Sequence, residues 1–320
     1  MVSLASVLSL RVNQQRRRLW AVSAVAVLLS VVGIVLCWLS PEIRAPLRPG
    51  LDFTGGTQIQ LERQCAGSAC AQLSVAQLQQ AVAAVRLPLE GGGSAPDLKG
   101  VSAQLLDQGR LVVLRLPALS AAQGQAVVDQ LQPVTGATVA AGLSVDTIGP
   151  SLGGQLLRSS LISLLVSFIG ISLYISVRYD RLYALLALLC LGHDVLITCG
   201  VFAWLGLLAG VEVNSLFAVA LLTIAGYSVN DTVVIFDRIR EKRSQLQGLP
   251  LAEQADAAVS ATLTRSIYTT LTTLLPLLAL VLFGGSTLFW FAVALSIGIL
   301  VGAWSSIAVA PTLLPVLARR

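Results

Sequence analysis

Six long apolar runs alternate with polar segments along this chain, and each run is long enough to cross a bilayer. A membrane-spanning helix needs about 20 apolar residues to cross a hydrocarbon layer of ~30 Å. The predicted spans are Leu19–Leu39, Gln155–Val177, Leu182–Leu208, Val213–Phe236, Ser266–Phe283 and Leu288–Leu317.

The long stretch between the first two runs predicts a domain of mixed α and β structure. Its periodicity gives strand, helix, strand, strand, helix, strand, which is the ferredoxin-like arrangement. The glycine-rich segment Glu90–Pro96 predicts a flexible joint inside this domain. The predicted elements are strand Thr57–Arg63, helix Val75–Leu87, strands Val101–Leu106 and Arg110–Leu116, helix Ala121–Leu131 and strand Ala137–Val145.

Together these patterns predict a membrane all-α bundle of six transmembrane helices. One external α+β ferredoxin-like domain lies between the first and second spans. Residues 1–40 carry the first span, residues 41–150 form the external domain, and residues 151–320 form the five-helix remainder with a loop at 237–262. A composition of 55% hydrophobic and 12% charged residues, with mean hydropathy +0.81, is typical of an integral membrane protein.

The positive charges predict the orientation of the spans. Thirteen of the 21 Lys and Arg residues flank the spans on one side, while the short connections 209–211 and 284–287 on the other side carry none. By the positive-inside rule both termini are cytoplasmic and residues 41–150 lie outside. The first run follows Arg16–Arg18 as a signal peptide does. Its longer apolar core, with no small-residue cleavage site after it, predicts an uncleaved anchor.

The cysteines and the single histidine restrict the chemistry of the chain. Cys65 and Cys70 flank a short Gly/Ser loop in the predicted external domain. A disulfide between them and two free thiols are both open readings, because spacing alone does not establish the Cα separation. One histidine, His193, cannot build a metal site by itself. The chain has no G-x-x-x-x-G-K-[ST] loop, so we expect neither ATP hydrolysis nor another enzymatic activity.

Two ionisable residues inside the apolar runs are the main candidates for function. An ionisable side chain at membrane depth costs about 3 kcal/mol or more, and therefore marks a functional site. Asp231 lies in the fourth run and Arg265 at the start of the fifth, so we expect them to meet at similar depth. If protonation of Asp231 releases Arg265, the pair is a gate; a static ion pair between two helices is the alternative. Tyr227 and Asn230 lie beside Asp231.

Other polar residues of the spans have two readings each. His193 and Asp194 in the third run form either a proton relay or a satisfied polar contact. Hydroxyl residues recur at helical spacing along the fifth run, either as a hydrated face or as hydrogen-bonding contacts between helices. Asp52, Gly55 and Gly56 stand at one border of the predicted external domain, and Gly149 and Pro150 at the other. They form a hinge or allow tight packing.

Six segments, in order along the chain, stand out as sequence motifs. They are LDFTGGT (Leu51–Thr57), IGPSLG (Ile148–Gly153), GHDV (Gly192–Val195), GYSVNDTVVIFDRIRE (Gly226–Glu241), TTLTTLLPLLAL with the following FGG (Thr269–Gly285) and FAVALSIGILVGAWSSIAVAP (Phe291–Pro311). This set resembles the SecD/SecF family of protein-export membrane subunits, which belongs to the resistance-nodulation-division superfamily.

The resemblance implies a function that the patterns alone do not give. It implies a subunit that pairs with SecD and associates with the SecY, SecE and SecG channel. The complex would use the proton-motive force, and no cofactor, to complete translocation of exported preproteins after the ATP-dependent SecA step. Asp231 and Arg265 match the family's proton-path residues. The alternatives are a non-transducing scaffold for the channel and a small-molecule proton antiporter of the same superfamily.

The same resemblance implies where the protein resides. The expected location is the bacterial plasma (inner) membrane. For a photosynthetic source the thylakoid membrane is a second expectation. No nucleic-acid partner is expected.

Overall fold

The computed structural model describes residues 11–65, 70, 73–88, 96–98 and 101–318, so the predicted joint at Glu90–Pro96 lies outside them except for Pro96. The chain divides into two compact units. One is Gly50–Ser159. The other contains the described residues of Met1–Pro49 and Ser160–Arg320.

The elements follow the predicted order in both units. In chain order they are α1 (Arg16–Leu39), α2 (Leu51–Thr54), β1 (Gly56–Arg63), α3 (Val75–Ala83), β2 (Ser102–Leu106), β3 (Leu111–Leu116), α4 (Ala121–Thr135), β4 (Thr138–Ile148), α5 (Pro150–Arg178), α6 (Arg181–Ala209), α7 (Ser215–Gln245), α8 (Leu251–Phe283), α9 (Gly285–Trp304), a π-helical turn (Ser305–Val309) and α10 (Ala310–Leu317).

The unit Gly50–Ser159 is built on a four-stranded antiparallel sheet with strand order β2-β3-β1-β4. In the central strand β1, Ile59 pairs with Leu114 of β3 and Val145 of β4. Every second residue of β1 is buried, which fits a sheet with one face against helices. The core under α3 and α4 contains Ile59, Leu61, Leu78, Val82, Leu114, Val127 and Leu131.

Helices α3 and α4 of this unit each begin where the sequence supplies a cap. Ser74 accepts a hydrogen bond from the backbone N–H of Gln77, whose side chain accepts one in return from the N–H of Ser74. Ser120 and Gln123 form the same reciprocal pair at the start of α4. Such capping boxes satisfy two of the amide donors that a helix start leaves free.

The second unit is a bundle of helices whose length and apolar composition are those of a membrane protein. Among the described residues, six helices are long and apolar enough to span a bilayer: Arg16–Leu39, Ser151–Arg178, Arg181–Ala209, Ser215–Gln245, Leu251–Phe283 and Leu288–Leu317. The most apolar window of Ser215–Gln245 is 56% buried, against 6% for Ser151–Arg178. Hence α6, α7 and the last span form the centre of the bundle, and α5 lies at its edge.

The segment predicted as the loop 237–262 is largely helical. Helix α7 continues to Gln245 and α8 begins at Leu251, so the break is five residues long. Charged residues end an apolar span without ending a helix, since Arg, Lys and Glu are good helix formers. Ion pairs one turn apart, Arg238 with Glu241 and Arg240 with Asp237, lie along the extension.

Helix α1 is held against the bundle by small residues and indole groups. A Cβ at Gly200 of α6 would lie 2.1 Å from the Ser30 side chain, so the two helices touch closely there. The indole N–H of Trp204 donates to the carbonyl of Leu29 at 2.9 Å. These contacts replace the hydrophobic effect, which does not draw helices together inside lipid.

Candidate functional site

Asp231 lies in the interior of the bundle, on the face of α7 that meets α8. Its side chain is 7% exposed, and Ser266 of α8 donates a hydrogen bond to its Oδ1 at 2.9 Å. The other oxygen, Oδ2, is buried and has no hydrogen-bond partner among the described residues. Asp231 is therefore a buried acid with one carboxyl oxygen that makes no hydrogen bond within the described chain, although the Ser306 hydroxyl stands close to the carboxyl group.

The expected direct contact between Asp231 and Arg265 is wrong. Arg265 is exposed, and no ion pair within 4 Å joins it to Asp231 in the part of the chain that the structure describes. Neighbouring positions of a helix point about 100° apart, so the turn that aims Ser266 at Asp231 aims Arg265 away. The Arg265 charge still acts on Asp231 electrostatically.

The contact between α7 and α8 repeats one turn further along. The hydroxyl of Tyr227 lies 3.1 Å from that of Thr270, so Tyr227 pairs with Thr270 as Asp231 pairs with Ser266. The members on each helix are four positions apart, about one turn, which places both pairs along the same antiparallel contact.

Asn230 faces away from this contact. It is exposed and lines a cleft of about 340 Å³ between α5 and α7, together with Tyr174 and Gly226. The cleft leaves open space beside Asn230, which directly precedes Asp231 in α7. The structure therefore separates Asn230 from Tyr227, although the sequence groups them.

A second carboxylate, Asp194 of α6, lies in the same bundle and is fully buried. Its Oδ2 accepts hydrogen bonds from Ser228 of α7 at 2.5 Å and from Ser305 of the π-helical turn at 2.8 Å. Its Oδ1 lies 2.8 Å from Nδ1 of His193. Three elements of the bundle thus meet at one side chain.

His193 stands at the edge of this cluster. Its Nδ1 faces Asp194, and its side chain is 11% exposed. Its other ring nitrogen, Nε2, is buried and has no partner among the residues that the structure describes. The histidine thus adds a third polar contact to Asp194 and is the one cluster member that is not fully enclosed.

The last span approaches α7 closely because it carries glycine where the two helices touch. A Cβ at Gly298 would lie 2.3 Å from the side chain of Ile224. One at Gly302 would lie 3.3 Å from Ser228 Cβ. Beyond Gly302 the helix widens into the π-helical turn, which directs Ser305 at Asp194 and places Ser306 3.2 Å from the hydroxyl of Thr232. Single π turns often occur at functional sites.

The motif residues of the other unit form a compact structure of their own. Gly55 and Gly56 have φ angles of 71° and 126°, which side chains rarely adopt. A Cβ at Gly153 would lie 2.8 Å from the backbone nitrogen of Gly55. Asp52 lies in the first turn of α2, and Gly149 and Pro150 lead into α5. Tight packing explains Gly55 and Gly56, while a hinge stays a prediction.

The structure joins Cys65 and Cys70 by a disulfide, with their Cα atoms 4.8 Å apart. The sequence had left two readings open, a disulfide and two free thiols. Cys37 and Cys190 are buried free thiols in the spans. Among the described residues no group of three His, Cys, Asp or Glu side chains is placed to hold a metal ion.

Sequence reasoning missed the hydroxyl partners of both acids. Ser266 belongs to the hydroxyl residues predicted along the fifth run and Ser305 to the motif Phe291–Pro311, and neither was assigned to an acid. The available signal was the coincidence of buried acids with serines on neighbouring helices. Only the packing shows which serine meets which acid.

Six apolar spans, with two carboxylates and their hydroxyl donors enclosed between them, define an integral membrane protein with titratable groups inside its bundle. The C-terminal family of the protein export membrane proteins SecD/SecF matches residues 129–320. The SecD/SecF GG motif matches residues 44–66. The chain belongs to the SecD/SecF family.

Relatives match over nearly the whole length. The protein translocase subunit SecF of Prochlorococcus marinus is 50% identical over 95% of this chain and 94% of its own. That of Synechocystis is 44% identical over 92% of this chain and 90% of its own. The crystal structure of SecDF from Thermus thermophilus, a translocon-associated membrane protein, matches 94% of this chain with a TM-score of 0.75 and 33% identity. The chain spans 38% of that longer protein.

Proposed function

We propose that the chain serves as the SecF subunit of a protein translocase and works together with SecD. The full-length similarity to two SecF subunits supports this role. The similarity to part of SecDF supports a partner that supplies the remainder. The proposed complex acts with SecY, SecE and SecG on preproteins that SecA has already moved with ATP. The subunit itself is not an enzyme and uses no cofactor.

The proposed energy source is the proton-motive force, and Asp231 is the residue that couples it. The observation that carries this proposal is the buried Oδ2 of Asp231, which is unpaired within the described chain. An ionised carboxylate with an unmet acceptor is costly in a membrane interior. Protonation of Oδ2 removes the negative charge and with it that cost. Loss of the proton restores the charge and its attraction to Arg265. The protonation state of Asp231 therefore changes the forces between α7 and α8.

Asp194 has a different proposed role in the same bundle. Its two oxygens are fully used by Ser228, Ser305 and His193. A carboxylate with all partners present holds its surroundings in one arrangement. We assign it to keeping α6, α7 and the last span together while Asp231 changes its charge.

The proposed placement puts both termini in the cytoplasm and the unit Gly50–Ser159 outside. That unit is then an external ferredoxin-like domain, which its antiparallel sheet and its strand order support. The proposed location is the bacterial plasma (inner) membrane. The cyanobacterial relatives add the thylakoid membrane as a second site.

The substitution Asp231→Asn tests the coupling role. It keeps the shape of the side chain but removes the proton-binding group, so we expect gradient-stimulated export to fall to the level without a gradient. The assay uses membrane vesicles with SecD, the channel, SecA and ATP, with and without a proton gradient.

Asp194→Asn is the matched control, since it makes the same change at the other buried acid. We expect it to lower the amount of folded protein while the gradient response of each remaining complex persists. A full response in Asp231→Asn would support the scaffold alternative. Loss of response in both variants would show that burial of an acid, and not the unpaired oxygen, identifies the coupling site.

A further inference from the structure

A pocket at the charged end of α7 has the chemistry of a phosphate site. It has a volume of about 430 Å³ and lies between α7 and the start of α6. Two arginines of α7, Arg240 and Arg243, line it with the ring of Tyr183. Ser244 and Gln247 add polar groups, and Asp180 stands at the start of α6. None of these residues belongs to the clusters around Asp194 and Asp231.

The pocket stands at the depth where lipid headgroups lie. From Ser215 to Phe236 helix α7 rises about 33 Å, which is close to the ~30 Å thickness of a hydrocarbon layer. Residues from Asp237 onward therefore emerge at the membrane surface. Basic pockets between helices at this level are suited to lipid headgroups.

Arg240 of the pocket lies over an aromatic ring that it shares with Arg178. Arg240 lies 5.7 Å from the centre of the Tyr179 ring, and Arg178 lies 5.1 Å from the same ring. Burial, together with the Asp237 carboxylate beside it, raises the pKa of Tyr179 to about 12.

On the other wall of the pocket the Tyr183 ring packs edge-on against Phe236 at 5.0 Å. The guanidinium of Arg243 lies beside the Tyr183 hydroxyl. Arg243 makes no ion pair within 4 Å among the residues that the structure describes. A guanidinium fork held in this way matches phosphate oxygens in geometry and charge.

We propose that this pocket binds the phosphodiester headgroup of an anionic phospholipid of the phosphatidylglycerol type. Arg240 and Arg243 hold the phosphate oxygens, and the Tyr183 hydroxyl donates to one of them. Asp180 accepts a hydrogen bond from a hydroxyl of the headgroup glycerol. The site goes beyond the proposed export function, because it ties the α5–α6 connection and the end of α7 to the lipid composition of the membrane.

The chain offers a matched pair of variants for the test. The double variant Arg240→Gln with Arg243→Gln removes the two positive charges that line the pocket. Arg238→Gln with Lys242→Gln removes two charges from the same helix end, where Arg238 pairs with Glu241 and Lys242 with Gln245. Tyr183→Phe removes the hydroxyl and keeps the ring against Phe236.

The measurement is native mass spectrometry of the full-length protein in detergent, titrated with phosphatidylglycerol or phosphatidylcholine. We expect preferential binding of one phosphatidylglycerol. The pocket variant should weaken it about tenfold or more, and the control pair less than about threefold. Tyr183→Phe should weaken it by a smaller factor.

Three results would overturn the proposal. Equal weakening in both double variants would mean a diffuse attraction of basic residues to anionic lipid. Equal binding of phosphatidylglycerol and phosphatidylcholine would show that the pocket does not select an anionic headgroup. Competition by inorganic phosphate that is as tight as the lipid would assign the pocket to a free anion.

Discussion

Asp194 and Asp231 are buried aspartates of the same bundle, and the difference lies in how their oxygens are used. Asp194 receives hydrogen bonds from two serines and faces His193. Asp231 receives one bond, from Ser266, and keeps Oδ2 unpaired within the described chain. Burial alone thus does not distinguish the structural role proposed for Asp194 from the coupling role proposed for Asp231. The proposed distinction is the number of unmet acceptor sites, because a satisfied carboxylate gains little from a change of state.

The largest change in stability is expected from Asp194→Ala. It removes three polar contacts of ~0.6 kcal/mol each and leaves the buried hydroxyls of Ser228 and Ser305 without their acceptor, so we expect a loss of about 2–3 kcal/mol in the free energy of unfolding. Asp231→Ala should change it by less than about 1 kcal/mol. Unfolding in mixed micelles, followed by circular dichroism, measures both. Equal losses would erase the distinction between the two acids.

A smaller effect separates the serines that serve the two acids. Ser305→Ala should lower the free energy of unfolding by about 1 kcal/mol and leave the gradient response of export intact. Ser266→Ala should cost about 0.5 kcal/mol and reduce that response, because it removes the hydrogen bond that Ser266 donates to Asp231. The same micelle and vesicle assays give both readouts. The reverse pattern would assign coupling to Asp194.

Arg265→Lys should change stability least of all, since Arg265 is exposed and makes no ion pair within 4 Å in the described chain. Export should nevertheless lose most of its gradient response. The planar guanidinium can engage both oxygens of a carboxylate, whereas an ammonium acts as a point charge. Normal gradient-driven export in the lysine variant would reduce Arg265 to a general positive flank.

The sequence predicted the spans, the burial of Asp231, and the order of the four strands and of helices α3 and α4 in the unit Gly50–Ser159. These depend on local periodicity and on the cost of a charge in lipid. It placed the end of the fourth span at Phe236, because charge marks the membrane surface, while helix α7 continues to Gln245. The contact of Asp231 with Ser266 in place of Arg265 depends on the rotation of α8, which no local pattern specifies.

The Asp194 cluster was harder to predict for the same reason. Ser228 and Ser305 lie 34 and 111 residues from Asp194 in the chain. Their meeting depends on the glycines that bring the last span against α7 and on the π-helical turn. A π turn adds one residue to a helical turn, so the residues that follow Ser305 are rotated relative to an α-helical pattern.

The spacing of hydroxyls on α8 makes its contact with α7 tolerant of sliding. Thr262, Ser266 and Thr270 are buried at intervals of four residues. Translation of α8 by one such interval, about 6 Å, would bring another hydroxyl opposite Asp231. The corresponding neighbours of Ser305 are Val301 and Val309, which have nothing to donate to Asp194. The contact between α7 and α8 therefore has several registers in which a hydroxyl faces Asp231. The contact between the last span and Asp194 has one. We therefore expect relative motion of the helices to occur along α8 and not along the last span.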